Sequence, residues 1–547
     1  MTFGQKVRLI ISRTLLPLKE ILFLSGVWLP PASHALDEPV AQFISMNEQY
    51  WPRCGASSGQ RVLVEGHLSQ YGPNYILRTA VAAKAIQERR NCDIEIVCNG
   101  YSHQWTLAKK IYDSFGIHNF LHLGSCFFFS NILFFCVSRC FAVFYTFRLR
   151  SPADILVLRF GPIKVGDLIY DDVIRESKQK TIEAIDGHVT LAVAKSFYFY
   201  LQYKRLFRRQ RYSYYISTHT AYSEYGLLCR VALMNGVKVI ETTDIQMAVY
   251  DHISDEQLPT YHDGIKRSVC SDLNDPHVEL ESLRQEAKQS LAQRLDSKIR
   301  QIDAQKAYIG KVYDKAELSQ KLAIEQGHKI VFILAHIFAD APHLSSAMLH
   351  VDYYRWLTST LNVCARSSGV RWVIKPHPSS EIYGESGLVE KLVIDVQSSN
   401  LSICPADLNT KSISTCADAI VTVHGTAGLE FACLGVPVVL AGRPFYSGFG
   451  FTTEPESVTD YERELLALKD ISPLSESQVK KALEVYSIWD RQFDWNNPII
   501  TPDVLANVWG SGMARDLGRA FSLMTQNLRT TDPRRLKLWA FAQMVAN

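Results

Sequence analysis

Residues 417–452 read ADAIVTVHGTAGLEFACLGVPVVLAGRPFYSGFGFT, and this stretch decides the fold of the chain. The β-branched run at 419–423 is typical of a buried parallel strand, and residues 429–434 have the composition of a helix. Residues 435–437, Gly-Val-Pro, stop that helix, and 438–440 supply another strand. The stretch therefore predicts a strand, turn, helix and strand of a doubly wound α/β sheet.

The turn between that strand and helix is a candidate phosphate cradle. It reads His424-Gly425-Thr426-Ala427-Gly428. Its glycines permit close backbone approach, and the free N–H groups of the following helix point back at the turn. We expect a phosphate in the space left at Gly428, with the Thr426 hydroxyl as a further donor. The alternative is an ordinary glycine-rich turn of an α/β protein.

A second motif follows another predicted strand. Residues 371–374 run directly into Lys375-Pro376-His377-Pro378. The carboxyl ends of parallel strands meet at one edge of a sheet, where open α/β sheets bind their ligands. The lysine brings charge, the histidine brings a hydrogen-bond donor, and the prolines stiffen the loop. We therefore expect both turns to face one crevice.

These motifs carry a family resemblance. KPHP at 375–378 and GTAGLEFACLGVPVVLAGRPFYSGFGFT at 425–452 resemble the bacterial capsule polysaccharide biosynthesis family, whose members include Kdo transferases that use CMP-Kdo. ILAHIFADA at 333–341, DYYRWL at 352–357 and GDLIYD at 166–171 are similar to its surface-carbohydrate members. The resemblance implies a GT-B-like α/β fold, with two Rossmann-like doubly wound domains facing a cleft.

The resemblance also implies roles for individual residues. In such enzymes the His-Pro dipeptide contacts the donor phosphate, so we expect His377 to stabilise charge on the leaving phosphate. Glu430 either accepts the ribose hydroxyls or is simply a carboxylate favoured by the helix N-terminus. A serine often found in the family's turn is replaced here by His424 and Thr426, which leaves the donor open. The donor-binding candidates are Lys375, His377, His424, Gly425, Thr426, Gly428, Glu430, Arg443 and Tyr446.

The first half of the chain predicts a second α/β unit. Its predicted strands are 61–65, 94–97, 155–160, 215–218 and 237–240. An alanine-rich helical pattern connects the first two, as in a βαβ opening. We expect this domain to bind the acceptor.

Carboxylates follow two of these strands. Glu65 ends the first and either faces the cleft or is a salt-bridged residue of its rim. Asp167, Asp171 and Asp172 lie near the end of the third. They either supply a base for an acceptor hydroxyl, with Asp167 as the catalytic candidate, or cap a helix that begins near Val173.

The turn after 215–218 is the clearest cleft turn of the first domain. It carries His219, a candidate acceptor-binding residue, and Glu224, a candidate catalytic residue. The alternative for this pair is a surface histidine beside a first-turn glutamate.

The pattern divides the chain into five parts. We predict an N-terminal amphipathic segment at 1–55 and a Rossmann-like acceptor domain at 56–274. A charge-rich helical connection at 275–327 leads to a Rossmann-like nucleotide-sugar domain at 328–500. The GT-B pattern predicts that helices in 501–547 pack back on the first domain.

The composition argues against nucleic-acid binding and against structural zinc. A formal net charge of +3 over 547 residues is close to balance, so no overall positive field recruits nucleic acid. The twelve cysteines include no CxxC pair, which is typical of reduced cytosolic thiols. Cys404 and Cys416 flank a loop without histidines at zinc spacing, so we expect no metal and no cofactor beyond the nucleotide-sugar substrate.

Residues 121–147, LHLGSCFFFSNILFFCVSRCFAVFYTF, are long enough to cross a membrane once, but Asn131 and Arg139 interrupt them. Two interpretations remain. The segment is a helix pair of the core or acceptor cleft, or it inserts into a membrane surface to meet a lipid-linked acceptor. A basic run near Arg208 fits anionic lipid. We expect a cytoplasmic protein, peripheral on the inner membrane under the second interpretation.

The sequence thus predicts a metal-independent glycosyltransferase. It would move a sugar, Kdo or a similar acidic sugar, from a nucleotide-sugar, CMP-linked in the Kdo case, to a growing capsule or surface polysaccharide. The alternatives are a polyol-phosphate transferase of the teichoic-acid type, a nonhydrolysing sugar-nucleotide epimerase, and a non-catalytic subunit of a polysaccharide assembly or export complex.

Overall fold

A computed structural model describes residues 37–51, 58–66, 72–98, 105–123, 128–243, 246–254, 257–296, 306–345, 347–494, 496–510 and 515–547. Most of the predicted amphipathic segment, residues 1–36, lies outside these ranges. Two mainly parallel sheets organise the described residues, and each belongs to its own Rossmann-like α/β domain. The predicted fold class is confirmed.

The first sheet consists of β1 Arg61–Glu65, β2 Asp93–Cys98, β3 Asn119–His122, β6 Tyr214–Ser217, β7 Lys238–Thr242 and β8 Met247–Tyr250. Its order is β3-β2-β1-β6-β7-β8, and every pair is parallel except β7–β8. A short hairpin, β4 Arg159–Phe160 and β5 Ile163–Lys164, lies beside it. Residues 62–64 of β1 are wholly buried, as helices on both faces of a parallel sheet require.

The second sheet consists of β9 Lys329–Leu334, β10 Val370–Lys375, β11 Leu401–Ile403, β12 Ala419–Thr422 and β13 Val438–Leu440. All its pairs are parallel, in the order β11-β10-β9-β12-β13. The carboxyl ends of β10, β9 and β12 therefore lie side by side.

The helices surround these sheets. They are α1 Glu38–Asn47, α2 Pro73–Arg90, α3 Trp105–Asp113, α4 Phe128–Thr146, α5 Gly166–Ser177, α6 Gly187–Arg209, α7 Leu227–Met234, α8 Tyr261–Leu273, α9 Leu280–Leu295, α10 Lys315–Lys321, α11 Tyr353–Cys364, α12 Leu388–Val396, α13 Ile413–Cys416, α14 Thr426–Ala432, α15 Val458–Ala467, α16 Glu476–Arg491, α17 Pro502–Trp509, α18 Leu517–Leu528 and α19 Lys537–Val545.

The C-terminal helices contact the first domain. Helix α18 packs on α1, and α19 packs on α2. Their buried apolar residues share one core cluster with β1, β2 and α2. A buried ion pair between Arg78 and Asp494, 3.2 Å apart, joins α2 to the segment that precedes these helices.

Two local predictions in the first domain are wrong. Residues 155–160 do not form one strand, because Ser151 and Asp154 form a capping box and Pro152 begins the 3₁₀ helix Pro152–Val157. The helix expected near Val173 begins seven residues earlier, at the start of α5.

Candidate functional site

The carboxyl edge of the second sheet gathers the two sequence motifs. Lys375 ends β10 and His377 follows it, and His424, Gly425 and Thr426 follow β12. Between these strands lies β9, which ends just before a third polar residue, His336.

The imidazole of His377 is a neutral hydrogen-bond donor. Its Nδ1 accepts the backbone N–H of Ser379 at 3.2 Å, so the ring proton lies on Nε2. Burial, helped by the charge of Lys375, lowers the pKa of His377 to about 4. The Lys375 ammonium partly offsets the rise that burial causes in the pKa of the Cys404 thiol. It also supplies the positive charge beside the His377 ring.

His336 was not among the predicted site residues. Its Nε2 accepts the backbone N–H groups of Val423 and His424, each at 3.3 Å, so its proton lies on Nδ1. The ring stacks on Tyr353, with centroids 4.3 Å apart, and burial holds its pKa well below the usual value. A lone histidine after a strand carries no distinctive spacing, which is why the sequence motifs did not single it out.

His424 does not face the donor site, which corrects its assignment. The side chain is 4% exposed, and burial lowers its pKa to about 3. Its Nε2 lies 2.7 Å from the Ser345 hydroxyl, and its Nδ1 lies 3.1 Å from the Tyr353 hydroxyl. Both ring nitrogens are therefore used inside the protein, where they fix the shape of the turn.

The space at Gly428 is taken by Tyr446, which corrects the proposed reason for this glycine. A Cβ at Gly428 would lie 2.4 Å from the Tyr446 hydroxyl oxygen. That hydroxyl donates to the Gly425 carbonyl at 2.6 Å, and the tyrosine is wholly buried. Tyr446 therefore supports the turn from behind. The half-exposed Thr426 and Ala427 begin α14, where their N–H groups lack intrahelical acceptors.

Glu430 and Arg443 are engaged elsewhere. Glu430 is 1% exposed, pairs with Arg294 at 3.0 Å and accepts the Tyr308 hydroxyl at 2.9 Å. This enclosure corrects its assignment to the ribose hydroxyls. The Arg443 guanidinium donates to the backbone carbonyl of Pro455 at 2.8 Å and braces the loop after β13.

The first sheet places His219 at its own carboxyl edge. Its Nδ1 accepts the backbone N–H of Ala221 at 3.0 Å, and burial lowers its pKa to about 4. It is therefore a neutral Nε2–H donor, like His377 in the other domain. Glu224 lies in the following π-helical turn, Tyr222–Gly226, and is half-buried.

The three aspartates of α5 are structural. Asp167 is paired with Arg230, whose Nη1 lies 2.7 Å from Oδ1, which removes Asp167 as a catalytic base. Burial works to raise its pKa, but the charge of Arg230 outweighs burial and holds the pKa below its usual value. Asp171 contacts His343 of the second domain at 2.6 Å, and Asp172 accepts the backbone N–H of Ser223.

Four side chains join the two domains in what we call the interdomain clasp: Arg175 and Tyr222 from the first, Asp340 and Tyr383 from the second. Arg175 Nη1 donates to the Tyr222 hydroxyl and to Asp340 Oδ1, each at 3.0 Å, and the Tyr383 hydroxyl donates to Asp340 Oδ2 at 3.1 Å. Tyr222 has φ +59° and Ala341 has φ +40°, so left-handed, strained backbone occurs on both sides of the contact.

The described residues at these sheet edges do not form a metal site. In the described ranges, no group of three or more His, Cys, Asp or Glu side chains is arranged to hold a metal ion. Cys404 and Cys416 are buried free thiols.

Residues 211–471 match the model of the capsule polysaccharide biosynthesis protein family. The resemblance predicted from the sequence is thus confirmed. The matched segment begins just before β6 and ends after α15, so it includes both His219 and the Lys375–His377 motif.

Solved structures similar to the chain include three carbohydrate enzymes. KpsC beta Kdo 2,4 transferase of Thermosulfurimonas dismutans is 14% identical, over 51% of this chain and 79% of that one, with a TM-score of 0.33. UDP-GlcNAc 2-epimerase of Neisseria meningitidis is 11% identical over 86% and 100%, with a TM-score of 0.21. A Rickettsia africae glycosyltransferase is 8% identical over 87% and 100%, with a TM-score of 0.27. The search of curated proteins finds no match.

Proposed function

We propose that this chain is a glycosyltransferase of capsule or surface polysaccharide synthesis. The second domain binds a nucleotide-sugar, with Kdo or a similar acidic sugar as the transferred group, and the first domain binds the saccharide acceptor. The family match points to capsule polysaccharide synthesis, and to this we add a reaction, the transfer of a sugar from the nucleotide-sugar to the acceptor.

The donor side of the proposal depends on one observation. Three strand ends bring together the Lys375 ammonium, the neutral imidazoles of His377 and His336, and the free amides that begin α14. This set supplies hydrogen-bond donors and one positive charge to a group that gains negative charge. Donors fixed before the reaction stabilise such a leaving phosphate without reorganisation, which is commonly the largest catalytic contribution.

A nucleotide screen tests this assignment. The full chain is heated with CMP, UDP or CDP, and its melting temperature is followed. A nucleotide at a hundred times its dissociation constant adds about 2.7 kcal/mol to the free energy of unfolding. We expect CMP or UDP to stabilise the protein. Stabilisation by CDP alone would indicate a polyol-phosphate transferase, and stabilisation by none would indicate a non-catalytic subunit.

We further propose that the protein works at the cytoplasmic surface of the inner membrane, on a lipid-linked acceptor. Helix α4 supports this through an apolar outer face: Leu133, Val137 and Phe144 recur at helical spacing and are 61%, 41% and 58% exposed, and Phe147, just after the helix, is 92% exposed. Arg148, stacked on Phe144 at 3.9 Å, adds positive charge. Such a face suits the interface of an anionic bilayer.

Helix α4 is connected through α6 to the turn at the carboxyl edge of the first sheet. Helix α4 packs along α6, whose Ser196 hydroxyl donates to Ser223 of the Tyr222–Gly226 turn at 2.6 Å. The helices that the structure describes include none that is both long and apolar enough to span a bilayer. We therefore propose attachment along the length of α4 and not through it.

A further inference from the structure

The carboxyl group of Glu65, the last residue of β1, is wholly buried and half satisfied. Its Oε2 accepts the Thr218 backbone N–H at 2.7 Å, the Thr218 hydroxyl at 2.8 Å and the Ser217 hydroxyl at 3.1 Å. Its Oε1 has no hydrogen-bond partner. Thus the salt-bridged rim residue that the sequence allowed is not what the structure contains.

This free oxygen distinguishes Glu65 from the other enclosed carboxylates of the described chain. Two other buried carboxylate oxygens lack a hydrogen bond, and both belong to ion pairs, Glu430 with Arg294 and Glu484 with Lys481. Leaving a buried acceptor without any partner is destabilising. A ligand that supplies a hydroxyl proton would remove that destabilisation.

A second unsatisfied group lies at the same end of the same βα unit. Asn74, at the start of α2, is wholly buried, and neither its Oδ1 nor its Nδ2 has a partner. Because α2 follows β1 in a parallel sheet, the start of the helix and the end of the strand share one edge. An amide that both donates and accepts suits a sugar hydroxyl, which does the same.

We infer that this edge is the acceptor-sugar subsite, in which Asn74 holds hydroxyl groups and Glu65 takes the proton of the hydroxyl that is glycosylated. The inference rests on the proposed glycosyltransferase function. The O–H proton passes to Glu65 Oε1 while the acceptor oxygen forms its bond to the anomeric carbon. The bond from that carbon to the donor phosphate breaks, and its electron pair leaves with the phosphate.

The surroundings of Glu65 suit a base. Burial raises its pKa to about 7, and the nearby Glu224 carboxylate works in the same direction. The other titratable groups that interact with it are Tyr112, Tyr215 and Cys229, none of which is a cation. A pKa near the working pH is the optimum for a general base. Contacts to a reacting hydroxyl commonly form only in the substrate complex, so enclosure of the carboxyl here is compatible with this role.

Glu241 provides a matched control. It lies on β7 of the same sheet, is 2% exposed, and has a pKa that burial raises to about 7. Both of its oxygens are occupied, by the Thr220 hydroxyl at 3.2 Å and the Tyr250 hydroxyl at 2.7 Å. Glu241→Gln therefore removes an equally buried, equally perturbed carboxyl that has no free oxygen.

The test uses natural substrates. Membranes from a strain of the source bacterium that lacks this chain are supplied with the small-molecule extract of wild-type cells and with purified full-length protein. We expect wild-type protein to restore polymer formation, Glu65→Gln to be about a hundredfold slower, and Glu241→Gln to be close to wild type. Melting temperatures of both variants, with and without nucleotide, report folding and donor binding.

Asn74→Leu is the second variant. It removes the amide while keeping the size of the side chain, so we expect an unchanged or higher melting temperature and an acceptor KM about tenfold higher, measured by titrating the membranes. Restoration by wild type together with full rates in folded Glu65→Gln and Asn74→Leu would overturn the subsite alone. Failure of the wild type to restore polymer would overturn the glycosyltransferase proposal, and the subsite with it.

Discussion

At the scale of single residues, the protonation states of His219 and His377 determine which hydrogen bonds they can donate. His219 and His377 each accept a backbone N–H two residues further along the chain, and burial keeps both rings neutral. A neutral ring with a fixed tautomer donates one hydrogen bond and leaves the positive charge to Lys375. The two domains thus carry the same kind of neutral donor, each at the carboxyl edge of its own sheet.

The first prediction concerns His377. We expect His377→Ala to lower turnover about a hundredfold, because it removes a donor to the leaving phosphate, and to change the melting temperature little. Turnover is measured as polymer formed on the membranes described above. His328, a partly exposed histidine outside the site, supplies the control as His328→Ala. Equal turnover in folded His377→Ala and His328→Ala would remove His377 from the mechanism.

The second prediction concerns pH and His424. Its folded pKa of about 3 lies below the ordinary value of 6.5, so the unfolded chain binds the proton more readily. Its contribution to stability is therefore complete above pH 6.5 and is lost as pH falls toward 3. We expect His424→Gln to be less stable than wild type at pH 8 and the difference between the two urea-unfolding curves to shrink steadily as the pH falls from 6.5 to 5. A constant difference across that range would contradict the buried neutral state.

A pattern within a few residues can be read from the sequence, whereas a contact with a partner far along the chain cannot. His377 lies between two prolines after a strand, which is a signal within four residues. Glu430 also looked like a ligand residue. However, it pairs with Arg294 and accepts a hydrogen bond from Tyr308, both more than a hundred positions away. The unpartnered oxygen that singles out Glu65 is visible only in the structure, where its two carboxyl oxygens have different surroundings.

At the scale of elements, the short helix α14 owes its position to a contact that its sequence does not reveal. Gly428 was expected to make room for a phosphate, and it makes room for the Tyr446 hydroxyl. Strands at 61–65 and 438–440 were predicted with the observed bounds, because a buried parallel strand is an uninterrupted apolar run. The error at 155–160 arose because a capping box outweighs β-branched composition.

The third prediction follows from this contact. Gly428→Ala places a methyl group 2.4 Å from the Tyr446 oxygen, so we expect it to lower the free energy of unfolding by about 1–3 kcal/mol. Adding Tyr446→Phe removes that oxygen and should restore part of the loss. Gly187→Ala, which enters open space, is the control and should not destabilise. Urea unfolding compares the wild type with Gly428→Ala, Tyr446→Phe, the double variant and Gly187→Ala, and additive losses in the double variant would contradict the contact.

The fourth prediction concerns helix α4. We expect the full chain to float with liposomes rich in phosphatidylglycerol at low salt, and Phe144→Ser with Phe147→Ser to abolish flotation, because these rings supply the inserted apolar area. The matched control is Ile309→Ser with Ile394→Ser, residues that are 70% and 68% exposed on other surfaces. A wild-type chain that stays at the bottom of the gradient would refute membrane attachment, and so would equal loss in both variants.

At the scale of the whole molecule, the two domains are joined by polar contacts as well as by the chain. The interdomain clasp and the Asp171–His343 pair connect the first domain to the segment between β9 and α11. On the far side, Arg78 of α2 is wholly buried against Asp494. The Arg175–Asp340, Asp171–His343 and Arg78–Asp494 pairs were not visible in the sequence, because their members lie 165, 172 and 416 positions apart.

The fifth prediction tests this connection. Asp494→Asn removes the carboxylate that lies 3.2 Å from the wholly buried Arg78 guanidinium, and breaking a buried ion pair typically lowers the free energy of unfolding by about 3–5 kcal/mol. The control is Arg463→Gln, which removes an exposed pair with Asp460 and should change stability by less than about 1 kcal/mol. Denaturant unfolding followed by tryptophan fluorescence measures both. A small effect at Asp494 would mean that water or another group solvates Arg78.

The packing of α18 and α19 on the first domain has a consequence for synthesis on the ribosome. The core that contains β1, β2 and α2 also contains buried apolar residues of 499–510 and 515–546, which are translated after both sheets. Domains usually fold in the order in which they emerge, but this core is completed only by the segment that emerges after the second domain. The nascent first sheet therefore keeps an apolar face uncovered while about half the chain is still being made. We expect ribosome-bound chains that stop before residue 499 to recruit a chaperone at this face and to release it when α18 and α19 arrive.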